Sequence, residues 1–191
     1  MCGFAGFVGE VENREQVLEN MIDTIIHRGP DSSGKFVDED AALGFRRLSI
    51  IDLSESGDQP LYNEDRSKVL VFNGEIYNYQ ELREELIQAG HTFVSNTDSE
   101  TLIHGYEQWG EELVYRLRGM YAFAIWDTKK KRLFVARDIF GIKPLYYANM
   151  NGTLMFASEI KACMEHPKFD KVFNEEALGN DLSFQFVPTN E

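Results

Sequence analysis

Strand-like and helix-like stretches are grouped in runs along this chain of 191 residues, and that grouping predicts the α+β fold class. The order is a strand, a helix, several strands, two helices and more strands, whereas a doubly wound sheet needs regular alternation. Residues 120–126 are apolar on both faces, as in a strand that is covered on both sides. The sequence therefore predicts a layered fold with sheet in the middle.

The first part of the chain contains a short apolar strand at residues 4–8 and a helix from about Arg14. One face of that helix carries apolar side chains at helical spacing, at Val17, Leu18, Met21 and Ile25. The His-Arg-Gly-Pro-Asp segment that follows breaks the helix and starts a loop. Three β-type runs come next, at residues 41–45, 48–53 and 69–72.

Two helices in the middle of the chain have predicted start signals. Asn78 precedes the first helix with Glu81 three residues later, and Gly90 ends it. Thr97 and Glu100 repeat the pattern before the second helix. Both pairs match a capping box, in which each side chain bonds the backbone N–H of the other residue.

The C-terminal half contains two predicted hairpins. Residues 120–127 and 133–137 flank a turn of lysines. Residues 145–148 and 154–157 flank Asn151-Gly152, and Asn-Gly favours a two-residue type I′ turn. Further on, residues 174–178 resemble the start of another helix.

Composition and charge narrow the classes of protein. The chain has 19 Lys plus Arg against 32 Asp plus Glu, and its formal net charge of −13 argues against nucleic acid or anionic membranes as main partners. No apolar stretch approaches the roughly 18–20 residues of a membrane span, and the first residues lack a signal-peptide pattern. Because Cys2 and Cys163 make no disulfide framework, we expect a cytoplasmic, reducing location.

Cys2 is the candidate nucleophile. Removal of Met1 would leave Cys2 with a free α-amine, whose reference pKa of ~7.7–8 provides a neutral fraction at pH 7. That amine can act as general base for the thiol of its own residue, so no separate histidine is needed. Position alone is weak evidence, since any residue can occupy position 2.

Asn73-Gly74 has two interpretations. Asn-Gly after a strand is most often a hairpin turn. Alternatively, the Asn73 amide and the Gly74 backbone N–H are donors that can form an oxyanion hole. The residues that follow lead into a helix start rather than a second strand, which weakens the hairpin interpretation without excluding it.

Arg47 and Asp98 are a candidate pair of opposite charges for a free amino acid. A guanidinium fork matches an α-carboxylate, and an aspartate matches an α-ammonium. The alternatives are a surface or ion-paired Arg47 and a helix-start carboxylate at Asp98. No histidine has a neighbour at metal-ligand spacing and no nucleotide-binding glycine pattern occurs, so no metal or cofactor is predicted.

Several segments occur in an order that resembles a known family. They are Met1-Cys2-Gly3, HRGPD at 27–31, RLSIID at 47–52, NGEIYN at 73–78, TDSE at 97–100, GMYAFA at 119–124, RD and GIKPLYY within 137–147, and ASEIKA at 157–162. The series covers nearly the whole chain. It resembles the N-terminal glutaminase domain of glutamine-hydrolysing asparagine synthetases, which are class II glutamine amidotransferases.

The resemblance implies a four-layer α/β/β/α sandwich of the N-terminal nucleophile hydrolase type. It also implies that the domain hydrolyses L-glutamine to L-glutamate and ammonia. It implies that Cys2 forms a γ-glutamyl thioester while Asn73 and Gly74 hold the oxyanion. Arg47 would bind the substrate α-carboxylate, and Asp98 with Glu75 its α-amino group. Backbone groups of a neighbouring segment would line the same pocket, at Leu48, Ser49, Ile50 and Ile51.

In the family, an ATP- and Mg-dependent synthetase domain follows, and its SGGxDS loop does not occur in this sequence. Residues 1–168 are expected to form the glutaminase domain, without a cofactor. Residues 169–191 are expected to be a linker and the truncated start of the synthetase domain. The expected partners are L-glutamine and that synthetase domain, which would receive the ammonia, with a homodimer left open.

Three other functions remain open at this point. One is the glutaminase domain of another class II amidotransferase, which modifies an antibiotic or a polysaccharide. Another is a catalytically silent glutamine-binding module, if Met1 stays in place. A hydrolase for other amides is disfavoured, because Arg47 and Asp98 together fit a free amino acid.

Overall fold

Two antiparallel sheets form the centre of the molecule. The computed structural model describes residues 2–48, 58–172 and 174–184. In the first sheet the strand order is β2-β3-β1-β9-β8, and in the second it is β4-β5-β6-β7. The strands are β1 (Gly3–Val8), β2 (Ser32–Val37), β3 (Ala41–Arg47), β4 (Leu61–Tyr62), β5 (Lys68–Ile76), β6 (Gly119–Asp127), β7 (Arg132–Arg137), β8 (Tyr146–Met150) and β9 (Thr153–Ala157).

Helices cover the outer face of each sheet. The first sheet packs against α1 (Arg14–Asp23) and α4 (Ile160–Cys163), and the second against α2 (Tyr79–Gln88) and α3 (Asp98–Trp109). Short 3-10 helices lie at Ile26–Arg28 and Gly110–Tyr115, and α5 spans Glu175–Phe184. The packing therefore has four layers, α/β/β/α, and confirms the fold class.

The alternation of side chains along β5 and β6 produces these layers. Odd-numbered residues of β6 from Tyr121 to Ile125 face the helices, while Ala122, Ala124 and Trp126 face the first sheet. Both sets are buried, which explains why the sequence of β6 is apolar without a break. In β5 the alternation continues, because Val69 and Val71 lie between the sheets. The same alternation places Asn73 on the side of β5 that carries Val69 and Val71.

Most predicted elements are confirmed, since they depend on local patterns. The Asn151-Gly152 turn has positive φ at both residues, as a type I′ turn requires. Asn174 caps α5 through a bond from the Ala177 N–H to its side chain at 3.0 Å. The predicted strand at residues 48–53 falls largely outside the described residues, but Leu48 itself is not in a strand.

The two helix starts are confirmed in position, but the predicted capping-box bonds are absent, and one alternative interpretation of a turn is excluded. Asn78 and Thr97 are the N-cap residues of α2 and α3, yet neither side chain forms a capping bond. Asn78 instead bonds the backbone of Arg116 and Arg118. The hairpin interpretation of Asn73-Gly74 fails because both residues lie inside β5 and pair with β6. Along the described part of the chain, no helix is long and apolar enough to cross a membrane.

We expect His166 to make the stability of the fold depend on pH. Its ring is 1% exposed, packs edge-on against Phe7 at 4.7 Å, and accepts the Lys168 N–H on Nδ1. Burial, with Lys168 and Arg14 nearby, lowers the pKa of His166 to about 4. Between its unfolded pKa of about 6.5 and about 4, only the unfolded chain binds this proton, so stability falls as pH falls.

The measurement is the free energy of unfolding by denaturant from pH 7 to pH 4, for the parent and for His166→Gln. The parent should lose on the order of 3 kcal/mol more than the variant over this window. Titration of the carboxylates is common to both proteins and cancels in the comparison. Parallel curves for the two proteins would show that His166 is not the group responsible.

Candidate active site at the edge between the two sheets

Cys2 lies directly before β1, at one end of the central strand of the first sheet. The side chain is partly buried and packs against the apolar layer between the sheets. Its sulfur is 3.4 Å from the backbone N of Leu48, which donates to it, and 3.7 Å from the Leu48 carbonyl oxygen. The register of β1 against β3, with Gly3 opposite Arg46, produces this contact. The candidate nucleophile therefore contacts one of the predicted substrate-binding residues.

Arg28 holds the backbone of the nucleophile. Its Nε donates to the Cys2 carbonyl at 3.1 Å, and its Nη1 donates to Glu159 at 3.2 Å. Glu159 also bonds His27 at 2.8 Å. A Cβ on Gly3 would lie 2.9 Å from Arg28 Cδ, so a larger residue at this position would force the Arg28 side chain to shift. The sequence analysis missed Arg28 and Glu159 as site residues, although each belongs to one of the quoted motifs.

Arg47 points to the opposite side of β3 from Arg46. Arg46 bonds the Ile22 carbonyl in α1, on the helix-covered face of the sheet. The Arg47 side chain is 9% exposed, and its Nη1 bonds Asp58 at 2.8 Å. The buried Arg47 guanidinium therefore forms the ion pair that one interpretation predicts. It is also the group that the other interpretation assigns to the substrate α-carboxylate.

Asp58 and Gln59 connect the two sheets at this edge. Asp58 accepts from Arg47 on the first sheet, and Gln59 bonds the backbone of β5 on the second. The Gln59 amide makes two bonds to Phe72, from Nε2 to the carbonyl at 3.1 Å and from the Phe72 N–H to Oε1 at 2.6 Å. These two residues, which the sequence analysis missed, bring Arg47 close to the residue before Asn73.

Asn73 directs a buried amide into the space between the sheets. It follows Val69 and Val71 in the alternation of β5 and is 4% exposed. Within the described ranges, its Nδ2 has no hydrogen-bond partner. A buried donor without a partner is costly, and such groups are found where a ligand supplies the acceptor.

Gly74 has no room for a side chain. A Cβ there would lie 2.3 Å from the Met120 carbonyl oxygen and 2.7 Å from Tyr121 Cα. Close pairing of β5 with β6 therefore requires glycine at this position. The requirement is structural, and it leaves the backbone next to Asn73 uncovered by a side chain.

Asp98 is fixed to the end of the same strand. Its Oδ2 accepts the Ile76 N–H at 2.9 Å. Burial raises the pKa of Asp98, and the nearby charge of Glu75 raises it further, against the lowering effect of backbone N–H groups. A carboxylate in this setting is stabilised by a cation placed beside it. Glu75 itself is exposed.

A series of contacts thus connects the described candidate residues. It runs from Cys2 to Leu48 and Arg47, through Asp58 and Gln59 to β5 beside Asn73, and on to Asp98. Three predicted substrate-binding residues, Ser49, Ile50 and Ile51, lie outside the described residues.

Three potential metal ligands that the sequence analysis did not group lie close together. His104 and Glu107 are one turn apart on α3, and His91 from the preceding loop reaches them. The i, i+3 spacing of His104 and Glu107 is visible in the sequence, whereas the approach of His91 depends on tertiary packing of the loop against the helix.

Comparison with known proteins identifies the family. The model of the glutamine amidotransferase domain matches residues 1–191, which is the whole chain. The chain belongs to the glutamine amidotransferase domain family.

Curated relatives of this amidotransferase domain are much longer. It is similar to glutamine-hydrolyzing asparagine synthetase 1 of Bacillus subtilis (strain 168), with 49% identity over 98% of this chain and 30% of that protein. Asparagine synthetase 2 of the same organism is 44% identical over 94% of this chain and 24% of that protein. Asparagine synthetase 3 of Arabidopsis thaliana is 45% identical over 85% and 28%. The chain spans less than a third of each.

Two solved structures share the fold of the domain. The glutamine phosphoribosylpyrophosphate amidotransferase of Bacillus subtilis matches with a TM-score of 0.71 and 24% identity, over 84% of this chain and 42% of that chain. A structure of an allosteric regulatory enzyme of purine biosynthesis also has a TM-score of 0.71, with 23% identity over 86% and 43%. At these identities the likeness concerns the layered fold alone.

Proposed function

We propose that this amidotransferase domain hydrolyses L-glutamine to L-glutamate and ammonia, with Cys2 as the nucleophile. The observation that supports the proposal is the series of contacts from Cys2 and Leu48 through Arg47, Asp58 and Gln59 to β5, the strand that carries the buried Asn73 amide. A thiol, a cation and a donor without a described partner form a set suited to acyl transfer from an amino acid.

Before any turnover, removal of Met1 exposes the α-amine of Cys2. That amine takes the thiol proton as the sulfur attacks the side-chain amide carbon of glutamine. The tetrahedral oxyanion is held by Asn73 Nδ2 and the Gly74 N–H. The α-ammonium then protonates the leaving nitrogen, and ammonia departs from a γ-glutamyl thioester. Water adds to the thioester and releases glutamate and the free thiol.

Arg28 is a positioning residue in this scheme. Its bond to the Cys2 carbonyl fixes the peptide that carries both the thiol and the α-amine. The Leu48 N–H, 3.4 Å from the sulfur, favours the thiolate that forms on attack. Neither residue transfers a proton.

Recognition of the free amino acid rests on opposite charges. Arg47 shares its guanidinium between Asp58 and the substrate α-carboxylate. Asp98, whose pKa burial raises, receives the α-ammonium together with Glu75. Backbone groups of residues 48–51 complete the pocket.

The role of this domain in a full-length protein is proposed from its longer relatives. Residues 1–168 act as the glutaminase domain, whose hydrolysis chemistry uses no metal or cofactor, and residues 169–191 lead toward a synthetase domain. That domain uses ATP and Mg to make asparagine from the ammonia. The full-length protein works in the cytoplasm, without nucleic acid or membrane as a partner, and a homodimer is compatible with this scheme.

The test is a hydrolysis assay on the chain after mass spectrometry has verified loss of Met1. L-Glutamine should yield glutamate and ammonia in equal amounts. D-Glutamine, with the same functional groups in mirror image, is the matched control and should be inert. A folded, Met1-free chain that releases no glutamate would contradict the proposal, whereas a chain that retains Met1 and binds L-glutamine without hydrolysing it would be the silent binding module.

A further inference from the structure

A compact cluster of potential metal ligands lies where α3 meets the loops beside it. The α3 cluster consists of His91, His104 and Glu107, with Glu64 next to it. His104 is 2% exposed and sits one turn before Glu107 on α3. His91 comes from the loop between α2 and α3, and Glu64 from the loop between β4 and β5. One ligand atom from each of His91, His104 and Glu107 lies within 4.8 Å of the others.

The separations within the α3 cluster fit a tetrahedral zinc ion. Zn–N and Zn–O bonds of about 2.0–2.1 Å place neighbouring ligand atoms about 3.4 Å apart. Glu107 Oε2 is 3.1 Å from His104 Nδ1 and 3.8 Å from His91 Nδ1. Glu64 Oε1 is 4.0 Å from the same His104 nitrogen. The separations extend up to 4.8 Å, so side-chain adjustments of up to about 1.4 Å would bring these atoms to coordination distance.

Each inner residue of the cluster is also held at its second polar atom. His104 Nε2 faces Glu100 at 3.7 Å, and Glu107 Oε1 accepts from Asn63 at 2.6 Å. His91 Nε2 bonds Gln108 at 3.2 Å. Metal-ligating histidines and carboxylates are characteristically fixed in this way by outer partners, which orient the ligand atom.

The charges of the α3 cluster favour a cation. Glu64, Glu100 and Glu107 all face the His104 ring. Burial alone would lower the pKa of His104, but Glu100 and Glu107 raise it to about 9. A proton on His104 is therefore the competing occupant, and the two occupants are distinguishable by experiment.

We propose that His91, His104 and Glu107 bind a divalent transition-metal ion of the zinc class, with Glu64 as the fourth ligand. The ion fastens the loop before α3 to the helix and to the loop after β4. Because that loop leads directly into Asp98, the ion stabilises the segment that places this carboxylate. Zinc binding at the α3 cluster does not depend on glutamine hydrolysis, so the two proposals are tested separately.

The test uses the Cys2→Ala form of the chain, since an N-terminal thiol and amine could themselves chelate zinc. After treatment with EDTA and its removal, zinc chloride is titrated against a chromogenic competitor, and native mass spectrometry reports the stoichiometry. We expect one zinc per chain. His91→Gln and Glu107→Gln should each weaken zinc binding by at least about tenfold.

The matched control is Glu112→Gln, which removes the same charge from an exposed residue just after α3. It should leave zinc affinity unchanged. X-ray absorption should report nitrogen and oxygen ligands at about 2.0–2.1 Å. Absence of binding at micromolar zinc, or equal affinity in all the variants, would overturn the proposal and leave a proton as the occupant of the α3 cluster. Circular dichroism verifies that each variant is folded.

Discussion

Replacing Cys2 by alanine should abolish glutamine hydrolysis while glutamine binding persists. The substitution removes the sulfur that attacks the amide, and no other described group near the site is a comparable nucleophile. We expect kcat to fall by at least about 10³-fold. Arg47 and Asp98, which are proposed to bind the two ends of the substrate, are untouched. Calorimetry should therefore report glutamine affinity within a few-fold of that of the parent.

The matched control for Cys2→Ala is Cys163→Ala. Cys163 is 3% exposed and packs against α1 and the first sheet. Burial raises the pKa of the Cys163 thiol to about 11, so it forms little thiolate near neutral pH. Its loss should lower stability slightly and leave turnover intact. Turnover by the Cys2→Ala chain, or inactivation by the Cys163 change alone, would show that the wrong thiol has been assigned.

Replacing Asn73 by alanine should lower kcat by about 10²–10³-fold with little change in KM. The Asn73 amide is proposed to bond the oxyanion, which exists only in the transition state and the intermediate. Loss of one such donor costs roughly 2.7–4 kcal/mol of transition-state stabilisation. Because Nδ2 is buried and has no partner among the described residues, its removal should not cost a hydrogen bond of the free protein.

Asn78 provides the matched control for this substitution. It belongs to the same motif, but its side chain bonds the backbone of Arg116 and Arg118. Asn78→Ala should therefore lower the free energy of unfolding by about 1 kcal/mol and leave kcat near the parent value. If Asn73→Ala raised KM and spared kcat, Asn73 would be a ground-state binding residue and not part of an oxyanion hole.

Sequence predicted most strands and helices because their signals are local. Apolar periodicity located α1 and β6, and Asn151-Gly152 located the turn between β8 and β9. Capping was mispredicted where a longer-range partner competed. Glu100 bonds the N–H groups of Val94 and Ser95 and faces His104, instead of closing a box with Thr97.

Motifs supplied part of the candidate site, and the part they could not supply depends on tertiary contacts. Cys2, Arg47, Asn73 and Asp98 were selected from motifs, and their assignment to one site stays a prediction that the contacts along β3 and β5 support. Asp58, Gln59 and Arg28 were not selected, because their roles depend on contacts across 11, 13 and 26 positions of the chain. Asn73-Gly74 shows the same effect in reverse, since pairing with β6 overrides the local preference of Asn-Gly for a turn.

The central claim is that Cys2, freed of Met1, is the nucleophile toward glutamine. Its most direct test is to treat the purified chain with a diazo-ketone analogue of glutamine and to measure intact and peptide masses. The account predicts loss of Met1 and a single adduct, on Cys2, that excess L-glutamine suppresses. A Met1-free chain that acquires no adduct, or acquires it on Cys163, would contradict the account.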